Sequence, residues 1–208
     1  MIFGSLVVGP LQVNCYILGC EKTKDAIVID AGGNVNDILN VLEKNNLNLK
    51  YILCTHSHFD HIAGNKELKD ATNAEIIIHS AEADSITNIS SSAMLFGLNI
   101  HNSPPADILI EDKHVIKVGE EIILDTLHTP GHSAGSCSFI LRGMPIVFVG
   151  DTLFAGSIGR TDLPGGDYNT LINSVRTKLF VLPDETKALP GHGPETTIGY
   201  EKKYNPFF

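Results

Sequence analysis

Four potential metal ligands crowd into six consecutive positions behind an apolar run, and this cluster constrains the chain more than any other feature. The run Tyr51-Ile52-Leu53-Cys54 is followed by Thr55-His56-Ser57-His58-Phe59-Asp60-His61. His56 and His58 are two residues apart, so in an extended backbone both imidazoles point to the same side and can reach one ion. Asp60 and His61 are consecutive and diverge if the chain turns there, which aims them at a second position. The segment predicts two metal ions in one cleft.

The alternative interpretation of this segment is a polar loop that is rich in histidine by chance. Only 9 of the 208 residues are histidine, so a window of seven residues would seldom hold three of them together with an aspartate. The metal site is therefore the interpretation that we carry forward.

Composition and charge narrow the class of protein. The chain has 208 residues, of which 43% are hydrophobic, and we expect one domain spanning residues 1–208. The 15 basic and 24 acidic residues give a net charge of -9 without a cluster of Lys or Arg, so we expect no binding to nucleic acid or membrane. No signal peptide or membrane-spanning stretch is evident, which predicts a cytoplasmic protein. The cysteines at 15, 20, 54 and 137 form no Cys-x-x-Cys pair and are predicted to be reduced, buried thiols.

Hydrophobic periodicity predicts a mixed α/β protein in which helices cover sheets. The predicted strands are Leu11 to Leu18, Ala26 to Asp30, Tyr51 to Cys54, Glu75 to His79, Glu121 to Leu127, Ser136 to Leu141, Ile146 to Gly150 and Thr186 to Leu189. One amphipathic helix is predicted after Asn34, through Leu42, and a second through Leu171, Val175 and Leu179. Ala81 to Ile89 is a further helix candidate, and Ser90 to Pro105 is predicted to be a loop able to move over a site.

Three later segments repeat one arrangement, in which an apolar run ends in a potential ligand beside glycine. They are Pro130-Gly131-His132-Ser133, Gly150-Asp151-Thr152 and Pro190-Gly191-His192-Gly193. A single histidine after Pro-Gly is more often a turn residue, and a single Gly-Asp is more often a helix cap, so each motif alone indicates little. Together with the first cluster they predict ligands gathered at one edge of the sheets.

Taken in order, THSHFDH, PGHS, VGD and PGHG resemble the motifs of the metallo-β-lactamase-fold hydrolases, from Leu11 to Gly193 and thus over nearly the whole chain. The resemblance implies a four-layer αββα sandwich of mixed sheets flanked by helices. It also implies two divalent metal ions, with zinc as the leading candidate and iron or manganese as alternatives. The implied ligands are His56, His58 and His132 for the first ion, Asp60, His61 and His192 for the second, and Asp151 as the bridge.

Within that superfamily, the segment from Gly150 to Asp162 is similar to the short glyoxalase II-like proteins. The similarity implies hydrolysis of a small acyl-thiol such as a hydroxyacylglutathione by a hydroxide that bridges the ions, with Asp60 steering it or receiving its proton. Only sixteen residues follow His192, so the C-terminal helical domain that binds glutathione in full-length glyoxalase II is not expected.

Other functions remain open at this point. The Arg-Thr-Asp triplet at 160–162 also resembles the persulfide dioxygenases, which would use one iron at His56, His132 and Asp151. An ester or lactone hydrolase of the same fold is a further alternative. A regulator or scaffold with a structural metal is disfavoured, because structural sites are usually closed by four protein ligands.

The remaining polar residues receive narrower interpretations. Arg160 is predicted either to bind a substrate carboxylate or to form a salt bridge with Asp162. His128 is interpreted as support for the turn to His132, while Thr55 and Ser57 are predicted to orient the ligand segment. His79, His101 and His114 are interpreted as surface or hydrogen-bonded histidines, and Tyr16 and Phe96 as core residues rather than pocket residues. The sequence predicts no oligomeric state.

Overall fold

The computed structural model describes residues 1–95 and 97–208, with only the backbone at residues 91, 92 and 95. The chain divides into an N-terminal unit, Met1–Ile110 with Lys117–Ile122, and a C-terminal unit, Glu111–Ile116 with Ile123–Phe208. The assignment of both units to a single domain stays a prediction.

The N-terminal unit is built on a sheet of six strands in the order β1-β2-β3-β4-β5-β6. The strands are β1 (Ile2–Val8), β2 (Val13–Gly19), β3 (Asp25–Ile29), β4 (Asn48–Leu53), β5 (Glu75–His79) and β6 (Ile108–Ile110). The first three strands are antiparallel, and β3 to β6 run parallel. Ile29 pairs with Leu53 across β3 and β4, so the residues that follow these two strands emerge at the same edge.

Helices of this unit bury apolar stripes against its sheet. They are α1 (Val35–Lys44), α2 (Phe59–Ile62), α3 (Asn65–Thr72) and α4 (Ile89–Leu95). Val35, Ile38 and Leu42 of α1 share one buried cluster with Ile17 and Val28 of the sheet. Burial of each such side chain contributes about 1.5–3 kcal/mol to folding. A helix places residues at this 3–4 spacing on one face, so the segment can bury all of them at once only as a helix.

The C-terminal unit carries most of a second six-stranded sheet, in the order β14-β13-β10-β9-β8-β7. The strands are β7 (Val115–Val118), β8 (Ile122–His128), β9 (Cys137–Leu141), β10 (Ile146–Gly150), β13 (Lys187–Pro190) and β14 (Thr196–Thr197), and a separate hairpin is formed by β11 (Leu153–Phe154) and β12 (Ser157–Ile158). Its helices are α5 (Tyr168–Ser174), continued by a π-helical turn at Val175–Leu179, and α6 (Ile198–Tyr204). Leu171, Val175 and Ile198 pack against Val147 of β10.

The predicted class, an α/β protein with mixed sheets and flanking helices, is confirmed, and each of the eight predicted strands is present. The sequence patterns miss β1, β6, β7 and the two-residue strands, together with α2, α3 and α6. Two predictions are wrong: Ala81 to Ile89 forms 3-10 turns at Ser80–Glu82 and Ser85–Thr87, and α4 occupies the start of the predicted loop Ser90 to Pro105.

Several smaller predictions can be checked directly. Tyr16 is a buried core residue, whereas Phe96 lies outside the described residues. The four cysteines are free and buried, as predicted. Across residues 1–95 and 97–208, no helix has both the length and the apolar character needed to cross a membrane.

Candidate metal centre

The histidine-rich segment begins just beyond the end of β4 and runs into α2. His56 and His61 are fully buried, and His58 and Asp60 are partly buried. The ring of His56 lies 4.6 Å from that of His58 and 4.2 Å from that of His61, measured between centroids. Nε2 of His61 lies 3.8 Å from Oδ2 of Asp60. The N-terminal unit thus gathers its four predicted ligands into one cluster.

Asp30 anchors this cluster from the end of the neighbouring strand. It is 1% exposed, and its Oδ1 accepts a hydrogen bond from the Thr55 backbone N–H at 2.8 Å. Its Oδ2 lies 2.8 Å from the Thr55 hydroxyl and 2.9 Å from Nδ1 of His61. The sequence predicts only that Asp30 ends a strand. The available signal is that an acidic residue closes an apolar run, and that a later apolar run leads into the histidines.

These contacts determine which imidazole nitrogens can bind an ion. His61 donates its Nδ1–H to the Asp30 carboxylate, which leaves the Nε2 lone pair available. The Thr55 hydroxyl donates to Asp30 and therefore accepts from Nδ1 of His56, 2.9 Å away. Nε2 of His56 then also carries a lone pair. One carboxylate and one hydroxyl fix two rings in the metal-binding tautomer.

A second buried carboxylate holds the residue between His56 and His58. The hydroxyl of Ser57 donates to Glu82, which is 3% exposed, and lies 2.7 Å from the Ser85 hydroxyl. Thr55 and Ser57 therefore both fasten the ligand segment through their side chains. This is the structural arrangement expected for residues that orient a ligand turn.

The C-terminal unit presents three further candidates at neighbouring strand ends. Because β10 and β13 are parallel and Gly150 pairs with Pro190, Asp151 and His192 emerge side by side. His132 lies on the turn that follows β8. Oδ2 of Asp151 is 3.7 Å from Nε2 of His132 and also 3.7 Å from Nε2 of His192. Both distances exceed hydrogen-bonding range, yet the two nitrogens face one carboxylate oxygen.

The loop after β12 orients His132. Nδ1 of His132 donates to the backbone carbonyl of Arg160 at 2.8 Å, which leaves Nε2 facing Asp151. A Cβ atom at Gly159 would lie 1.8 Å from the carbonyl oxygen of Asp151 and 3.1 Å from Nδ1 of His132. Glycine is required because the loop passes directly over these two ligands. This role of Gly159 was not predicted from the sequence.

The Arg160 side chain turns toward its neighbour Asp162. Its Nε and one terminal nitrogen each lie 2.8 Å from a different Asp162 oxygen, and both side chains are exposed. The Arg160 guanidinium lowers the pKa of Asp162 to about 2. The binding of a substrate carboxylate by Arg160 stays a prediction.

The other histidines lie outside these two clusters. His128 pairs through Nε2 with the carbonyl of Ala134 at 2.9 Å, so it braces the loop that carries His132. His101 and His114 are exposed, and buried His79 accepts a hydrogen bond from the Ala81 N–H at 3.2 Å.

Each ligand cluster has the chemistry of a divalent metal site. Imidazole nitrogens and carboxylate oxygens suit zinc, iron and manganese. In both units the Nδ1 atoms of buried histidines are engaged by hydrogen bonds, as is usual when Nε2 binds an ion. The 3.7 Å separations around Asp151 leave room for an ion between nitrogen and oxygen. The residues therefore fit metal ions.

Comparisons with known proteins agree with this chemistry. Residues 8–192 match the family model of the metallo-beta-lactamase superfamily. The chain is 40% identical to the probable metallo-hydrolase YqgX of Bacillus subtilis, over 96% of this chain and 94% of that protein. It is 41% identical to the hydroxyacylglutathione hydrolase GloC of Haemophilus influenzae, over 94% of this chain and 92% of that protein.

Two solved structures are also similar across nearly their whole length. The BLEG-1 B3 metallo-beta-lactamase superposes with a TM-score of 0.91 at 37% identity, covering 99% of both chains. TTHA1623 in a di-iron-bound form superposes with a TM-score of 0.90 at 35% identity, covering 99% of this chain and 100% of its own.

Proposed function

This chain belongs to the metallo-beta-lactamase superfamily, in its glyoxalase II-like branch, and we propose that it is a metal-dependent hydrolase of small thioesters. The observation that carries the proposal is the position of Asp151, whose Oδ2 faces Nε2 of both His132 and His192 at 3.7 Å. A carboxylate shared by two imidazoles suits a bridge between two ions.

The proposed centre holds two divalent ions through the ligand pattern of the family. The proposed ligands are His56, His58 and His132 for the first ion, Asp60, His61 and His192 for the second, and Asp151 for both. The support is the clustering of the first four residues in the N-terminal unit and of the other three in the C-terminal unit. Zinc is the leading candidate, and the di-iron form of TTHA1623 supports iron as the alternative.

When bound, two divalent ions would lower the pKa of a coordinated water from near 16 toward about 7 and polarise an acyl carbonyl. The protein's own contribution is orientation. Asp30, Thr55 and the Arg160 carbonyl hold three imidazoles with Nε2 turned toward the centre. In this proposal, Asp60 steers the attacking water or takes up its proton. The carboxylates of Asp60 and Asp151 would offset only half the charge of two divalent ions, so a developing oxyanion is stabilised.

A thioester suits this constellation better than an amide. A thiolate leaving group with a pKa of about 8.5 departs without full protonation, so the reaction needs no general acid. The relative GloC, named as a hydroxyacylglutathione hydrolase and 41% identical, supports an acyl-thiol of the same class as the substrate. We propose that this substrate is a small molecule in the cytoplasm, and that nucleic acid and membrane are not partners.

A single experiment tests the proposal. Thiol release from S-D-lactoylglutathione is measured with zinc- and iron-replete protein, with metal content determined on the same samples. His58→Ala removes a ligand and His114→Ala removes an exposed histidine outside the cluster. We expect two ions per chain and release that is lost in His58→Ala and retained in His114→Ala.

Parallel assays identify the competing functions. Absence of thiol release from protein that holds two ions contradicts the thioesterase. Oxygen consumption with glutathione persulfide by a form holding one iron per chain establishes the dioxygenase instead. Cleavage of a chromogenic β-lactam with no thiol release would indicate a β-lactamase, the activity for which the similar structure BLEG-1 is named.

A further inference from the structure

A fully buried carboxylate that is not among the proposed ligands lies on the last helix. Glu201 of α6 is 0% exposed, and its carboxylate accepts three hydrogen bonds. The donors are the Gly156 N–H at 3.0 Å, the Thr196 hydroxyl at 2.5 Å and Nδ2 of Asn205 at 2.8 Å. A buried carboxylate is costly unless such bonds compensate it, so the three donors must stay in place around it.

Each donor belongs to a segment that connects to a candidate ligand. Gly156 is the turn residue of the β11–β12 hairpin, which begins two residues after Asp151. Thr196 of β14 follows His192 by four residues. Asn205 also donates from Nδ2 to the carbonyl of Ser157 at 3.0 Å, so a second side chain of the C-terminal segment holds the same hairpin.

The hairpin in turn fixes the orientation of the ligands. Gly159 and Arg160 follow β12 directly, and the Arg160 carbonyl receives the Nδ1–H of His132. The backbone at Gly159 passes close to Asp151, because a Cβ atom on this residue would lie 1.8 Å from the Asp151 carbonyl oxygen. Phe154 of the hairpin lies edge-on to the ring of His192, with centroids 6.4 Å apart.

We propose that Glu201, with Asn205, is a positioning residue for His132, Asp151 and His192. The Glu201 carboxylate joins the hairpin, β14 and α6 through hydrogen bonds. The hairpin follows Asp151 in the chain and leads to the Arg160 carbonyl that holds His132, and β14 follows His192. The inference rests on the metal centre of the proposed function. It adds that Glu201 and Asn205 raise the affinity of this centre for metal without binding an ion themselves.

Variants separate this role from a general contribution to folding. Glu201→Ala leaves three donors without an acceptor, while Asn205→Ala removes one of them and the contact to Ser157. Glu201→Gln keeps one acceptor oxygen for Gly156 and Asn205, and its amide group can donate to the Thr196 hydroxyl after that hydroxyl rotates. Lys203→Ala on the exposed side of α6 is the matched control.

Zinc affinity is measured by competition with a chromophoric chelator, at a temperature well below each variant's melting temperature. The absorption spectrum of the cobalt-substituted protein reports ligand geometry independently of turnover. We expect Glu201→Ala to bind zinc about tenfold more weakly, in the range found for residues that orient metal ligands, with an altered cobalt spectrum. Asn205→Ala should be intermediate, and Glu201→Gln and Lys203→Ala should stay close to wild type.

Unchanged zinc affinity and an unchanged cobalt spectrum in Glu201→Ala, even with a lower melting temperature, would overturn the inference and leave Glu201 as a structural residue. If Glu201→Ala does not fold, the same readouts on Asn205→Ala decide. The result is separate from the identity of the substrate, because metal affinity is measured without substrate. A wild-type protein that binds no metal would refute the proposed centre instead.

Discussion

Oδ2 of Asp30 lies 2.9 Å from Nδ1 of His61, although the two residues are 31 positions apart in the chain. The contact follows from the parallel pairing of β3 and β4, which brings the residues after Ile29 and Leu53 to one edge. Asp30 has a positive φ of 56°, and this turn directs its carboxylate toward Thr55 and the histidines. The backbone geometry at the end of β3 and the tautomer of His61 are therefore linked.

The first prediction is that Asp30→Asn weakens metal binding by about 10- to 100-fold. Asparagine tolerates the left-handed conformation as aspartate does, so the substitution changes the hydrogen bonding without straining the backbone. An amide has one acceptor oxygen, whereas Asp30 is approached by three donor groups. Chelator competition measures the effect, with exposed Asp70→Asn as the control; equal zinc affinity in both variants would contradict the anchoring role of Asp30.

The second prediction concerns the shared carboxylate. Asp151→Asn keeps the shape of the side chain but removes the charge that faces His132 and His192. We expect fewer than two ions per chain and turnover reduced by at least about 100-fold, since even residues that only orient ligands cost 10- to 100-fold. Metal analysis and steady-state kinetics check this, with Asp125→Asn, which pairs with Arg142, as the control. Two ions per chain and unchanged turnover in Asp151→Asn would contradict a requirement for Asp151 as the bridge.

The ligand candidates could be predicted from sequence because their positions follow from local rules. Apolar runs predict the strands. A histidine or aspartate beside glycine at the end of such a run indicates a potential ligand in the turn after the strand. His56 and His58 illustrate this: their spacing alone indicated a common side, and their rings lie 4.6 Å apart.

The residues that hold the ligands could not be predicted in this way. Asp30 and Glu201 reach their partners across 25 and 45 positions of the chain, and an isolated acidic residue at a strand end or on a short helix is usually exposed. Glycine is needed at position 159 because the backbone there passes close to Asp151, and not because of a turn type. The neighbouring residues in the sequence therefore do not indicate this need. The serine-rich start of α4 is helical although serine favours loops, because the helix buries its neighbours Ile89 and Ala93, and this burial depends on the rest of the fold.

The third prediction is that Gly159→Ala lowers metal affinity and turnover together. The added methyl group would displace the loop from Asp151 and draw the Arg160 carbonyl away from His132. Gly143→Ala, in the turn between β9 and β10, is the control: apart from its two chain neighbours, no atom of the described residues lies within 4 Å of the place its methyl group would take, and only its positive φ of 83° carries a cost of about 1–2 kcal/mol. A Gly159→Ala variant with wild-type zinc affinity would show that His132 is held by other contacts.

The fourth prediction separates the two interpretations of Arg160. If its guanidinium releases Asp162 to bind a substrate carboxylate, Arg160→Gln should raise KM for S-D-lactoylglutathione about tenfold with kcat unchanged. In the same variant the pKa of Asp162, measured by NMR titration, should rise from about 2 toward its ordinary value of about 3.9. Because this pKa is depressed in the folded protein, the small stabilisation that the solvent-screened ion pair contributes is present above pH 4 and is lost as the pH falls through 2.

Asp162→Asn is the decisive partner variant, since it frees the guanidinium without removing it. Substrate binding by Arg160 then requires KM to stay at or below the wild-type value, although the bidentate contact at 2.8 Å is gone. An equal rise of KM in Arg160→Gln and Asp162→Asn would mean that the pair acts by holding the loop that carries Gly159. Both side chains are exposed, so either variant should change the melting temperature little at neutral pH.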